Sequence, residues 1–334
     1  MMSTTTTRWS VAALVALGAG CGGGVEGDVI ERRWPTTITI PGARTYPEGI
    51  TATHDGTLYI TGMRNGDVFR VAPGADAAEE FIPSGTAGLA AGVGLLADEA
   101  TSTLWICSAN PPGFPISAVE NAGPTALYAF DLASGAHRQT YAFPGSGLCN
   151  DVALDAAGNV YATDTFGGRI LVLPAGGDAL EVWSSDPLLA GPLFGFGANG
   201  IAIDSNDRIY VNVNESGKLL RIPIRPDGQP GSILEIGLPR PLAGPDGMQL
   251  IDDDTLLLVE NAGGMAPGAV SIVDLVGDSG VITPLASGLT GFPTTVAIHK
   301  GRAWVVEGQL DHHPAFGGDD QPAPPFLVRA FDLR

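Results

Sequence analysis

Two carboxylates and two carboxamides recur in one phase of a repeating pattern, and oxygen-only groups gathered in that way hold hard cations. Glu48 stands in Pro47-Glu48-Gly49-Ile50, Asn150 in Cys149-Asn150-Asp151-Val152, Asn199 in Ala198-Asn199-Gly200-Ile201, and Asp246 in Pro245-Asp246-Gly247-Met248. Eleven places later comes Tyr59, Tyr161 or Tyr210 in three of them and Leu257 in the fourth, so the shared register extends past a dipeptide. The two negative charges match a divalent ion. Calcium (Ca2+) takes about six to eight oxygens, so four protein ligands leave places for water or substrate. Such an open site is a catalytic one. Asn and Asp beside Gly also make plain turns. Glu48, however, is a poor turn former in the same phase, and Gly or Val near position 94 and Thr294 occupy the corresponding places of two further units, so the pattern is selective.

These four side chains meet only if the strands that begin with them surround one axis. Unit starts at Glu48, roughly Gly94, Asn150, Asn199, Asp246 and Thr294 lie 46 to 56 residues apart. Six units of nearly constant period predict an all-β chain folded as a six-bladed β-propeller, whose innermost strands line a central channel. The 47 glycines and 26 prolines separate short β-rich runs, and 44% hydrophobic content is too high for a disordered chain of 334 residues. Each unit reads as inner strand, tight turn, second strand, loop and third strand. Asp55-Gly56 and Gly158-Asn159 supply the left-handed backbone that a hairpin turn needs. Third strands recur at 68–71, 127–132, 170–173, 219–222, 270–273 and 327–331. Because the chain ends on a third strand, the last blade is expected to borrow its outer strand from residues 34–40, where Thr36, Ile38 and Ile40 alternate with their neighbours.

Residues 1–21 carry Arg8, an apolar run at 11–17 and small residues up to Cys21, the pattern of an export signal. The run is too short for a comfortable membrane span. Cys21 followed by Gly22-Gly23-Gly24 resembles a bacterial lipoprotein cleavage site, although Leu17 lies four residues before the cysteine and not the usual three. The expected organisation is an export signal at 1–21, a flexible tether at 22–33 and the propeller at 34–334. The expected location is the bacterial periplasm or cell surface, as a monomer that touches membrane only through a lipid on Cys21. Cys107 and Cys149 remain; an oxidising compartment allows one disulfide, and two buried thiols account for them equally well. A formal charge of -19 with only 17 Lys and Arg opposes nucleic acid binding, which needs a basic stripe.

The ordered set Glu48-Gly49, Asn150-Asp151, Asn199-Gly200 and Pro245-Asp246-Gly247-Met248 resembles the senescence marker protein, gluconolactonase and luciferin-regenerating-enzyme family. The resemblance runs over residues 46–334, with more distant similarity to diisopropyl fluorophosphatases and paraoxonases. It implies a six-bladed propeller with a divalent cation, usually calcium, at the floor of a pocket. It further implies that Glu48, Asn199 and Asp246 bind the metal, that Asn150 binds it or contacts substrate, and that Asp246 is general base or nucleophile. Sugar lactonases of the animal type in this family carry arginine two residues before the first Asn, and here that place is Leu148. A less polar lactone or ester is therefore the expected small-molecule substrate.

Loops that follow second strands should form the pocket rim, and two are long: 110–125, with Pro111-Pro112, and 309–325, with Asp311-His312-His313. His312 or His313 is a candidate to contact substrate or move a proton. Phe166, Phe194 and Phe196 are candidates for an apolar wall. Asp151 alternates away from Asn150 on a strand, so it is expected behind the ligands. The chemistry expected is calcium-assisted attack of water on a lactone or ester carbonyl, with Asp246 as catalytic base and Asn150 beside it. The alternative is a non-catalytic, surface-anchored propeller that binds a ligand or a protein partner. A lyase-type propeller would depend instead on His312 or His313. No Gly-x-Ser-x-Gly motif supports a serine hydrolase.

Overall fold

Asp-centred turns punctuate the chain into short strands. Asp155 accepts from the backbone N–H of Ala157 and Asn159 at 3.0 and 2.8 Å, and Gly158 takes φ 88. Asp204 accepts from Asn206 and Arg208 in the same way, at 3.0 and 2.9 Å. Two of the recurrent tyrosines close these turns from inside: buried Tyr161 donates to Asp155 at 3.2 Å and Tyr210 to Asp204 at 3.4 Å, while Tyr59 donates to Leu132 O at 2.8 Å. Their register is therefore that of one hairpin repeated.

The structure is a computed structural model and describes residues 34–333. The expected export signal, the tether and the Cys21 anchor lie outside the described residues. Six four-stranded antiparallel sheets form the blades of a propeller. The inner strands are Pro47–Ala52, Ala91–Asp98, Cys149–Leu154, Ala198–Ile203, Pro245–Asp252 and Pro293–His299, in blades 1 to 6. Each touches the next around a ring, and the sixth touches the first. No α-helix occurs among the described residues.

Apolar clusters fill the spaces between adjacent blades. Ile201, Val211 and Leu220 of blade 4 pack on Tyr161, Ile170 and Trp183 of blade 3. A fully buried Val, Leu or Ile contributes about 1.5–3 kcal/mol, so the blades hold one another. Blade 6 is completed as expected: Thr37–Ile40 pairs antiparallel with Phe326–Asp332, Ile40 opposite Phe326. Cys107 of blade 2 and Cys149 of blade 3 form a disulfide with Cα atoms 5.1 Å apart, which decides between the two states the sequence left open.

Every inner strand slips its register at its first residues, and the fifth slips again between Leu250 and Asp252. The shared slips lie between Pro47 and Ile50, Gly92 and Leu95, Cys149 and Val152, Ala198 and Ile201, Pro245 and Met248, and Pro293 and Val296. They place Val93, not Gly94, in the phase of Glu48, which corrects the approximate start of the second unit.

Candidate active site

A bulged residue leaves its ladder, so other groups have to hold its backbone. Thr61 accepts from Gly49 N at 2.8 Å and donates to Val93 O of the next blade at 2.5 Å. Thr163 accepts from Asp151 N at 3.0 Å and donates to Asn199 O at 2.7 Å. Asn212 accepts from Gly200 N at 3.3 Å and donates to Asp246 O at 2.6 Å. Thr294 closes the ring by donating to Glu48 O at 2.7 Å. Glycine follows the bulged residue in four blades because the neighbour's chain presses there. A Cβ on Gly49, Gly94, Gly200 or Gly247 would overlap Val93 O, Asn150 O, Asp246 O or the Thr295 side chain, respectively.

These ties aim Glu48, Asn150, Asn199 and Asp246 at the floor of one pocket of about 590 Å³, with Val93 in the fifth place. All four are buried, between 5% and 9% exposed. Fifteen places after them stand Met63, Thr165, Asn214 and Asn261, which line the same pocket as a second tier. Asn261 donates to Asp246 Oδ2 at 2.7 Å, and its own Oδ1 accepts from Gly263 N at 3.0 Å. Sequence reading missed Thr165, Asn214 and Asn261; their constant offset was the available signal.

Glu48 Oε2 and Asn199 Oδ1 are buried without a hydrogen-bond partner among the described residues. Burial pushes the Glu48 carboxyl well above its ordinary range, and repulsion from Asp246 and Asp151 adds to that. Burial likewise pushes Asp246 up to about 8, although hydrogen bonds from Asn199 and Asn261 pull it down. Asp151 accepts from Val152 N at 2.9 Å and Ile201 N at 3.2 Å, and burial still raises it to about 7. It opens on a second cavity of about 320 Å³, at the other end of the inner strands. Among the described residues no three His, Cys, Asp or Glu gather, so amide oxygens have to complete any cation site. Two acids that resist ionisation, with acceptor oxygens left over, fit a hard divalent cation, whose charge would favour both carboxylates.

The pocket wall is apolar. Leu148 and Phe196 line it, as do Phe194 from the same turn and Phe114 and Ile116 from the 110–125 loop. Phe166 does not line it but packs behind, its ring 5.2 Å from Phe114 and 5.3 Å from Phe196. Neither His312 nor His313 lines the pocket, contrary to expectation. The short turn Leu310–His312 presents Leu310 and Asp311 to the pocket, while His312 turns outward to Asp319, 2.8 Å away. That partner raises its pKa. His313 is fully buried against Tyr46, ring centroids 4.8 Å apart, and accepts from Ala315 N at 3.1 Å. Burial pushes it down to about 4, so it is a neutral packing residue. A lyase reading that depends on these histidines loses its residues.

A family model described as strictosidine synthase-like, N-terminal, matches residues 35–71. No curated protein sequence matches the chain. Among solved structures, the chain is similar to a gluconolactonase of Xanthomonas campestris, with 16% identity over 89% of each chain and a TM-score of 0.61. It is similar to regucalcin, a calcium-binding protein of Agrobacterium tumefaciens, with 15% identity over 89% of this chain and 97% of that one, TM-score 0.57. It is also similar to a virginiamycin B lyase of Staphylococcus aureus, with 15% identity over 89% and 98%, TM-score 0.56. The chain is thus a six-bladed β-propeller by its own sheets, similar in fold to these solved structures.

Proposed function

We propose that this chain is a calcium-dependent hydrolase of a lactone or related ester. The observation that carries the reading is the pair of partnerless oxygens, Glu48 Oε2 and Asn199 Oδ1, beside a second buried acid at a pocket floor. The fold it shares with a gluconolactonase and a calcium-binding protein supports the same reading. Glu48, Asn150, Asn199 and Asp246 would hold the ion. When bound, it would supply Lewis-acid polarisation of an acyl carbonyl, worth several kcal/mol in the transition state.

The protein's own groups do the rest. Asn261 fixes the orientation of the Asp246 carboxylate through Oδ2. Asp246 takes a proton from water as the water oxygen bonds to the acyl carbon. The acyl C–O bond then breaks, and the proton passes to the departing alkoxide oxygen, leaving the hydroxy acid. Glu48 stays a charge-compensating group, since its desolvated position suits holding an ion better than cycling a proton. We place the chain outside the bacterial cytoplasm on the export pattern of residues 1–21 and on the Cys107–Cys149 disulfide, which a reducing compartment disfavours.

A panel of lactones and aryl esters run with calcium, with chelator and with Asp246→Asn tests the proposal. Turnover is expected only in the first condition. Activity indifferent to both chelation and substitution rejects the mechanism, and calcium binding without any turnover favours a binding module.

A further inference from the structure

We infer that the pocket selects a neutral substrate bearing an extended apolar acyl or aryl group, and rejects hydroxyl-rich or anionic ones. The inference rests on the hydrolase reading for its reacting end and on independent features for the rest. Among the described residues no Lys, Arg or His lines the pocket, and with Glu48 and Asp246 committed to the ion an anionic group on the substrate would meet no positive side chain and the acid Asp311. The polar side chains of the second tier already donate to the protein. Thr165 donates to Ala198 O at 2.7 Å, Asn214 to Pro245 O at 3.0 Å and Asn261 to Asp246. A sugar's hydroxyls would lose water and find few free partners, and each unmatched group opposes binding.

The upper wall offers the opposite chemistry. Phe114, Phe196 and Phe316 of the wall, with Phe166 behind them, form one aromatic cluster with centroids 5.2 to 6.5 Å apart. At the mouth Phe194 is 81% and Met265 91% exposed, a cost in water that an apolar ligand would remove. Both are held in place. Glu215 accepts from Leu193 N and Phe194 N at 3.0 and 2.5 Å, and the turn before Met265 is capped by Asn261, the residue that also orients Asp246. The mouth at Met265 is therefore built on a residue, Asn261, that also supports the floor.

Displacement of the neutral fluorophore N-phenyl-1-naphthylamine from the full chain in calcium tests this. The probe is expected to bind, to be displaced by undecano-δ-lactone and to be unaffected by glucono-δ-lactone. Phe196→Ala should weaken probe binding about tenfold. Phe194→Ala and Met265→Ala, on exposed side chains that folding does not need, should each weaken it measurably. Asp246→Asn should leave it intact. A probe that does not bind, that ignores all three wall substitutions, or that glucono-δ-lactone displaces overturns the inference. Probe binding without turnover of any lactone sinks the hydrolase reading alone, and fast turnover of glucono-δ-lactone with the probe unbound sinks this one alone.

Discussion

In the proposed mechanism Asp246 is the base, and Asn261 is a group that orients its carboxylate. Removing the Asn261 amide leaves Asp246 without its 2.7 Å donor and releases the cap on the following turn. Groups that orient a ligand typically change metal affinity about 10–100-fold. Asn261→Ala should therefore weaken calcium binding by that amount in titration calorimetry, and Asp246→Asn by more. Equal affinity in wild type and Asn261→Ala would remove the positioning role. The same carboxylates give a pH signature in metal-free protein. Asp246 at about 8, Asp151 at about 7 and the raised Glu48 all hold protons that the unfolded chain releases near its ordinary carboxyl range. Their contribution to stability is full below about pH 4 and is lost as pH rises through the folded values. In chelator, the melting temperature should fall between pH 5 and 8.5, a window above the ordinary range of the other acids. Calcium, which favours the ionised forms, should stabilise most at the upper end. A calcium-induced gain that is the same at pH 5 and pH 8.5 contradicts this account.

At the scale of the strand, the bulge decides which side chain faces the channel, and in blades 1, 3 and 4 the residue thirteen places on, Thr61, Thr163 or Asn212, holds the bulged backbone. Thr163 serves two blades at once, through Asp151 N and Asn199 O. Thr163→Val keeps the shape and leaves both groups unsatisfied, at about 1–3 kcal/mol for a buried group. Urea unfolding should show a loss in that range, and calcium binding should weaken with it because Asn199 shifts. Unchanged stability would mean that water replaces the hydroxyl. Strand phase was legible in the sequence because ligands, turns and tyrosines repeat with the blade, and so Glu48, Asn150, Asn199 and Asp246 converge on one pocket as their spacing predicted. The slip itself was not legible: a bulge changes which residue faces inward without changing the alternation, hence the shift from Gly94 to Val93. The 309–325 loop follows no repeat at all. Tyr46 donates to His312 O at 3.2 Å and to Asp320 at 3.1 Å, a long-range attachment that turns both histidines away, and no local pattern encodes it.

The whole ring is closed at one seam by a borrowed strand and clamped at another by a disulfide. Ile40, fully buried beside Phe326, belongs to the closing strand of blade 6; Cys107 and Cys149 join blades 2 and 3, with Cys149 next to Asn150. The closing strand was legible because a chain ending on a third strand leaves an open edge, whereas the pairing of two lone cysteines depends on proximity across blades. Ile40→Ala should cost about 2–5 kcal/mol through the cavity it leaves. Removing the disulfide as Cys107→Ala/Cys149→Ala frees a loop with a sequence separation of 42, about 4 kcal/mol by chain entropy. The two sites lie on different blades, Ile40 on blade 6 and the disulfide between blades 2 and 3. If the six blades unfold together, each change is felt by the whole ring, and the combined variant should lose the sum of the separate costs within about 0.5 kcal/mol. If each seam instead governs only its own blades, the combined variant would unfold in two steps, with fluorescence and circular dichroism midpoints that separate. Coincident midpoints with additive losses are expected, because each inner strand packs on the next around the closed ring and four of the six junctions carry a hydrogen bond at the bulge.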